Sequence, residues 1–272
     1  MTADCRTTFP PVRRPICAVV VALATIGAAA PAAGAPHAVD RWRPGLEQAR
    51  AYAATRAGTI GFAVRTRRHL YRSDAYRAFR SASVVKAMLM VAYLNHPSVR
   101  SRALTEADRA LLHPMVRWSD NAAASQVRNF VGNGALVELA RRAGMGRFAV
   151  APSWGDSQIT AAGQTKLFLR IDRYVVRRHR PAAMRLLAAI VPEQRWGIAR
   201  ARPPAWGLYF KGGWGDGSGA VDHQVALLRR GKRRVAVAIM TADNPSHPYG
   251  KQTLEGVARR LLRGLRAGSI PR

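Results

Sequence analysis

Strand-like apolar runs lie near both ends of this chain, and a long helical stretch separates them. "TIGFAVRTRRHLYRSDAYRAF" reads as two strands joined by the polar "RTRRH". Far downstream, "WGLYFKGG", "AVDHQVALLRR" and "RRVAVAIMTA" are three more strands with short connections. Between the two groups, "TEADRALL", "DNAAASQVRNFV", "ALVELARRAG" and "AAGQTKLFLRIDRYVVRR" carry apolar residues at helical spacing. The two strand groups can bury their apolar faces together only in one sheet built from distant segments. "GLEQARAYAATRAG" and "GKQTLEGVARRLLRGLRAG" then supply helices that cover it, and the central block forms a second lobe. The expectation is a mixed α/β (α+β) fold: an antiparallel sheet flanked by helices, plus a mainly helical lobe.

Residues 1–35 read as an export signal rather than as part of that fold. Arg13 and Arg14 precede an apolar core from Ile16 to Ala30, and "AAGA" supplies small residues for cleavage near Ala35. The core is short for a membrane span. The arginine pair leaves a twin-arginine route open, although Pro15 departs from that pattern. One domain, 36–272, remains, in a protein that is secreted or associated with the cell envelope. Cys5 and Cys17, the only two cysteines, fall inside the signal. The exported domain thus has no disulfide, no thiol nucleophile and no thiolate metal site.

Lys and Arg number 44 against 15 acids, a formal charge of +29. Such a balance attracts anionic surfaces, which outside a cell are wall polymers and lipid headgroups. The arginines are scattered through every element and no nucleic-acid motif accompanies them, so dedicated nucleic-acid binding is not expected. A monomer is expected. The closing helix is basic and amphipathic; packing on the sheet is the expectation, against a role at a membrane surface.

Three short motifs carry the chemistry. "RSASVVKAMLMVAYL" places one lysine, Lys86, in an apolar run, with Ser83 one helical turn before it. A buried ammonium is costly unless paired or used. "RWSDNAAAS" contains Ser119-Asp120-Asn121, and "FKGGWGDGSG" places Lys211-Gly212-Gly213 at the end of a strand. Each has a bland reading: Lys86 snorkelling from a core helix, Ser119 capping a helix, Gly212-Gly213 making a turn. Together and in this order they form the S-x-x-K, S-D-N, K-x-G set. From about Leu46 to Leu265 the chain resembles the class A β-lactamase and penicillin-recognising serine hydrolase superfamily.

That resemblance implies a β-lactamase/transpeptidase-like fold with the site between sheet and helical lobe, and it implies roles. Ser83 is the nucleophile, near the positive end of a helix dipole. Lys86, desolvated, is the base that takes its proton. Ser119 shuttles a proton to the leaving nitrogen. Asn121 contacts Lys86 and the substrate, and Lys211 faces the substrate carboxylate. Gly213 completes the third motif, and the backbone N–H groups of Ser83 and Trp214 form the oxyanion hole.

Two departures matter. Gly212 stands where the family carries Thr or Ser, whose hydroxyl binds the substrate carboxylate; Ser218, or Lys211 with nearby arginines, are the substitutes considered. The family's water-activating glutamate has no counterpart among the acids between Ser119 and Lys211, which are Asp120, Glu138, Asp156, Asp172 and Glu193. Asp156, in "SWGDSQITAAGQT", is the one near the right loop. Acylation with slow deacylation is therefore expected, of a β-lactam or of a related amide or ester. A D-alanyl peptidase or acyltransferase acting on peptidoglycan-like substrates and a non-catalytic wall-polymer-binding protein are the alternatives. Trp118 and Trp214 flank motif residues, and His223 faces the site or its back depending on register. No cofactor is expected, and with no H-x-x-x-H pair and no cysteine in the exported domain, no zinc site.

Overall fold

The computed structural model describes residues 42–215 and 220–266, together with Met1, Thr8, Pro10 and Pro11. The chain divides into two units, Met1–His37 and Ala38–Arg272, and every element named below belongs to the second. The expected export signal lies outside the described residues, apart from those four. Among the described residues no helix is long and apolar enough to cross a membrane.

The two strand groups do meet in one sheet. β1 (Thr59–Arg65) and β2 (Leu70–Ser73) form the first hairpin. β5 (Gly207–Gly215), β6 (Val221–Arg230) and β7 (Arg233–Ala242) form a meander. The order is β2-β1-β7-β6-β5, antiparallel throughout, so β7 pairs with β1 across the length of the chain. β6 and β7 are buried over nearly their whole length, which is why they read as continuous apolar runs and not as alternating ones. α6 (Ala161–Leu169) packs on β1, β6 and β7. α9 (His247–Leu261) packs on β6 and β7 and is backed by α1 (Leu46–Ala54). The closing helix turns Leu254, Val257, Ala258 and Leu261 inward, so its apolar face is spent on the sheet.

The helical lobe is organised around α2 (Lys86–Asn95), in which every residue from Lys86 to Leu94 is buried. α3 (Pro97–Arg100), α4 (Glu106–His113), α5 (Asn121–Arg142) and α7 (Arg180–Ala188) surround it. α8 (Ile198–Ala201) returns the chain to the sheet. "AAGQTKLFLRIDRYVVRR", expected as one helical stretch, ends as helix at Leu169 and continues in 3₁₀ turns, Ile171–Tyr174 and Arg177–His179. A second, two-stranded sheet was not evident in the sequence. β3 (Phe79–Arg80) pairs with β4 (Gln158–Ile159), joining the segment before Ser83 to the loop that follows residue 153.

Candidate active site

Ser83 lies in a 3₁₀ turn, Ala82–Val85, that feeds into α2, rather than on an α-helix as the motif spacing suggested. Ala82 just before it takes a left-handed φ of 42°, a conformation costly for a residue with a Cβ and concentrated at functional turns. β5 closes on this turn. A Cβ added to Gly213 would sit 2.8 Å from the Ser83 backbone N and 2.9 Å from that of Val84. Only glycine lets the strand approach so closely, and that approach brings the end of β5 beside the Ser83 N–H.

Lys86 is fully buried. It donates to Asn121 Oδ1 at 2.7 Å and to the Ser119 backbone carbonyl, and lies 3.3 Å from Ser119 Oγ. The ring of Trp154 faces the same nitrogen, its centroid 4.8 Å away. Burial pushes the Lys86 ammonium down to about 7, opposed only by the charge of Asp120. A neutral amine has two hydrogens, enough for the Ser119 carbonyl and Asn121, and one lone pair left to accept a proton.

Ser119 ends a π-helical turn, Pro114–Trp118, and itself takes left-handed angles, φ 65° and ψ 32°. It does not cap the N-terminus of α5. Asp120 caps α5 instead, its Oδ1 accepting from the Ala123 N–H at 2.7 Å. This arrangement frees the Ser119 hydroxyl, which accepts from Lys211 Nζ at 3.0 Å and so lies between the two lysines. Lys211 is also fully buried, and donates to the Gly212 carbonyl at 2.9 Å. Burial first, and the neighbouring Lys86 charge second, hold its ammonium well below the ordinary lysine range.

Gly212 faces the opposite side of β5, where an added Cβ would meet the Trp196 ring at 3.4 Å. Trp196 packs edge-on against Trp214 and against His247, with ring centroids 5.9 and 5.8 Å apart. Trp214 stacks on His247. His247 Nδ1 contacts the buried Asp222 carboxylate at 2.5 Å, and burial raises that carboxyl to about 6. Ser218 falls outside the described residues. Trp118 is half exposed, stacked under Arg117.

His223 turns out to face inward. It is fully buried, pairs in register with Gly213, and lies edge-on to Phe79. Its Nδ1 lies 2.9 Å from the Asp222 carbonyl and 3.2 Å from the Thr241 N, and its Nε2 lies 2.9 Å from the Arg80 carbonyl. Burial lowers it to about 4. It is a neutral strut that steadies the entry to the Ser83 turn.

The loop expected to carry a water-activating acid carries Trp154 against Lys86 instead, its Nε1 donating to Ser125 Oγ at 3.1 Å. Asp156 lies on the same 3₁₀ turn, Trp154–Asp156, with its carboxylate 3.8 Å from Arg80. The loop is fastened to the Ser83 turn through Ser81, whose N–H donates to the Ser157 carbonyl at 2.8 Å. The other acids are engaged elsewhere or lie apart: Glu138 with Arg141, Asp172 with Arg234, Glu193 on the turn Pro192–Gln194. Trp154, Ser81 and Trp196 were missed in the sequence. An aromatic residue in the loop where a carboxylate was sought is the signal that could have found the first.

Among known proteins, the family described as the beta-lactamase enzyme family matches residues 101–265, more than half of the chain. That span holds Ser119, Asn121 and Lys211, and begins after Ser83 and Lys86. No curated protein sequence matches. Similar solved structures include the beta-lactamase from Sphaerobacter thermophilus DSM 20745, with a TM-score of 0.71, 21% identity, and 84% of this chain and 98% of that chain covered. A class A beta-lactamase from Mycobacterium abscessus gives a TM-score of 0.70 at 18% identity, over 81% and 99% of the two chains. PBP-A gives 0.68 at 14% identity, over 81% and 95%. At such identities the likeness is one of fold, and it agrees with the antiparallel sheet and the helical lobe. By the family match, the chain belongs to the beta-lactamase enzyme family.

Proposed function

We infer that the protein is an exported serine hydrolase that is acylated on Ser83 by a β-lactam or a related amide or ester, and that it releases the acyl group slowly. One observation carries this: the buried amine of Lys86 is paired with neutral oxygens and an aromatic ring, and with no water-activating carboxylate. A neutral Lys86 takes the Ser83 hydroxyl proton as Oγ attacks the carbonyl carbon. The N–H groups of Ser83 and Trp214 receive the developing oxyanion. As the carbon–nitrogen bond breaks, the leaving nitrogen takes the proton of Ser119 Oγ, and the protonated Lys86 returns one to Ser119 over the 3.3 Å that separates them. Lys211 offers positive charge to the substrate carboxylate without help from a hydroxyl at 212.

Hydrolysis of the acyl-enzyme needs a base for water. The loop presents Trp154 to Lys86, and Asp156 faces Arg80. Acylation without a matched water-activating step also fits an acyltransferase acting on D-alanyl peptides, in which an amine takes the acyl group in place of water.

Intact mass of the protein after brief exposure to a penicillin, followed over hours, tests the reading. A persistent adduct absent from Ser83→Ala is expected. Penicillin consumed with no adduct overturns the slow step, and neither adduct nor consumption removes β-lactams as substrates. Transfer from a D-alanyl-D-alanine peptide to an added amine separates the second reading from the first.

A further inference from the structure

A second site lies in the helical lobe, apart from the serine. A cavity of about 470 Å³ opens between α4, the π-helical turn and α7, a size that suits small-molecule ligands. Arg109, Arg117, Arg178 and Arg185 line it, over a floor that includes the buried Leu112 and Leu186. No acid lines it. Arg117 is held in place, its Nε donating to the Ala189 carbonyl at 3.0 Å and its guanidinium 4.5 Å from the Trp118 ring centroid. Among the described residues no carboxylate pairs with any of the four arginines. The other polar groups are His113, exposed, and His179, buried and in contact with the Val99 carbonyl at 3.1 Å.

A second basic cavity is lined differently. Arg195, Arg200 and Lys251 line it together with Glu193 and Glu255, and Arg200 meets Glu255 at 3.6 Å. That one carries its own counter-charge. The cavity beside α7 does not, and four guanidinium forks around one hollow match the oxygens of phosphate groups, each able to bind two at once.

We propose that this cavity binds the phosphate groups of a soluble polyol- or sugar-phosphate chain, such as an anionic wall polymer, and so anchors the enzyme beside it. Its volume exceeds the need of a single phosphate. Its large buried apolar residues, Leu112 and Leu186, lie in the floor, and the apolar residues exposed at its edge are the small Ala103, Pro181 and Ala189, which offer little to a bilayer. Arg117 lies two residues before Ser119, which places the anchor on the back of the turn that carries the second motif.

The experiment compares two double variants of the full chain that remove the same charge. Arg178→Ala/Arg185→Ala alters the cavity, and Arg67→Ala/Arg68→Ala alters the exposed hairpin turn. Binding of tripolyphosphate, then of poly(glycerol phosphate), is measured by calorimetry at physiological salt, where diffuse attraction is screened. The expected result is saturable binding that weakens at least tenfold in the cavity variant and less than twofold in the hairpin variant, with penicillin acylation unchanged in both. Equal weakening, or no saturable binding by the parent, overturns the site. Vesicles of phosphatidylglycerol captured through the same two arginines, in place of the polymer, overturn the occupant.

Discussion

Two buried charged clusters, one within the helical lobe and one where that lobe meets β5, are built to opposite ends. Around Asp108, every available partner is present. Its carboxylate accepts from Tyr93 Oη at 2.7 Å, from two nitrogens of Arg102 at 2.5 and 3.0 Å, and from the N–H and Oγ of Thr105 at 2.6 and 2.9 Å. Those donors hold Asp108 far below the usual carboxylate range. Around Lys86 and Lys211, two ammonium groups share one hydroxyl and a few neutral oxygens, and both are pushed down. A satisfied charge is a fastening, whereas an unsatisfied one gives up its proton. The first cluster closes the start of α4 as a capping box; in the proposed mechanism the second takes the proton of Ser83.

Removing the reactive partner gives the largest expected effect. Lys86→Met should slow acylation by roughly 10³-fold, within the range for loss of a general base, while circular dichroism still reports a folded protein. What leaves is an uncompensated charge. Normal acylation by Lys86→Met would end the distinction between the two clusters. Gly213→Ala should come next. Its Cβ would meet the Ser83 and Val84 amides at under 3 Å, and the displaced oxyanion donors should reduce acylation by about 10²-fold. Stopped-flow acylation with a chromogenic β-lactam reads both.

Asp108→Asn should act on stability alone. It leaves Arg102 and Tyr93 without their anion and should cost about 2–3 kcal/mol in urea unfolding, with acylation of the folded fraction unchanged.

The pH dependences should run in the same direction but in separate windows. Lys86 is held at about 7 against an ordinary 10.5, so the unfolded chain binds the extra proton between those values and stability rises with pH across that window. The acylation rate should climb through pH 7 and level off above it, as the neutral amine accumulates. Asp108 is depressed, so its contribution is complete above the ordinary carboxylate value of 3.8 and is lost as pH falls below it. The stability gap between the parent and Asp108→Asn should therefore close only in acid. An acylation limb that persists unchanged in Lys86→Met would assign the titration to another group, Asp222 at about 6 being the nearest in value.

Most of the fold was legible because its signals are local or repeated. Strand runs, helical spacing and the three motifs lie in contiguous segments, and the joining of distant strands followed from their need for a common core. What escaped depends on approach between segments far apart in sequence. The pairing of β3 with β4 involves two residues on each side, too few to give an alternating pattern. Trp154 over Lys86 and Trp196 beside Gly212 are contacts across the molecule that neither local sequence announces. For Ser119 the sequence leaves helix capping only as the bland alternative to a catalytic role. The π-helical turn that moves that duty to Asp120 arises from packing, with Gln194 Nε2 donating to the Trp118 carbonyl at 2.9 Å.

Gly212 gives the smallest expected effect and the sharpest contrast with its neighbour. The family resemblance expects a hydroxyl there, and its absence reads as a lost substrate contact. The aromatic wall offers another account. A Cβ at 212 would only touch Trp196, at 3.4 Å, where one at 213 would collide with backbone. Gly212→Ala should therefore change acylation by less than about threefold, on the ground that ordinary van der Waals contact costs little. Gly212→Ser separates two effects, since its hydroxyl must find room beside Trp196 before it can reach a substrate carboxylate. If Gly212→Ser lowers KM with kcat unchanged, the site accepts the hydroxyl and Lys211 alone was binding the carboxylate weakly. If Gly212→Ser behaves as Gly212→Ala while Trp196→Ala/Gly212→Ser lowers KM, the tryptophan ring occupies the place of the hydroxyl, and the wall it forms with Trp214 and His247 selects the substrate at that end of the cleft.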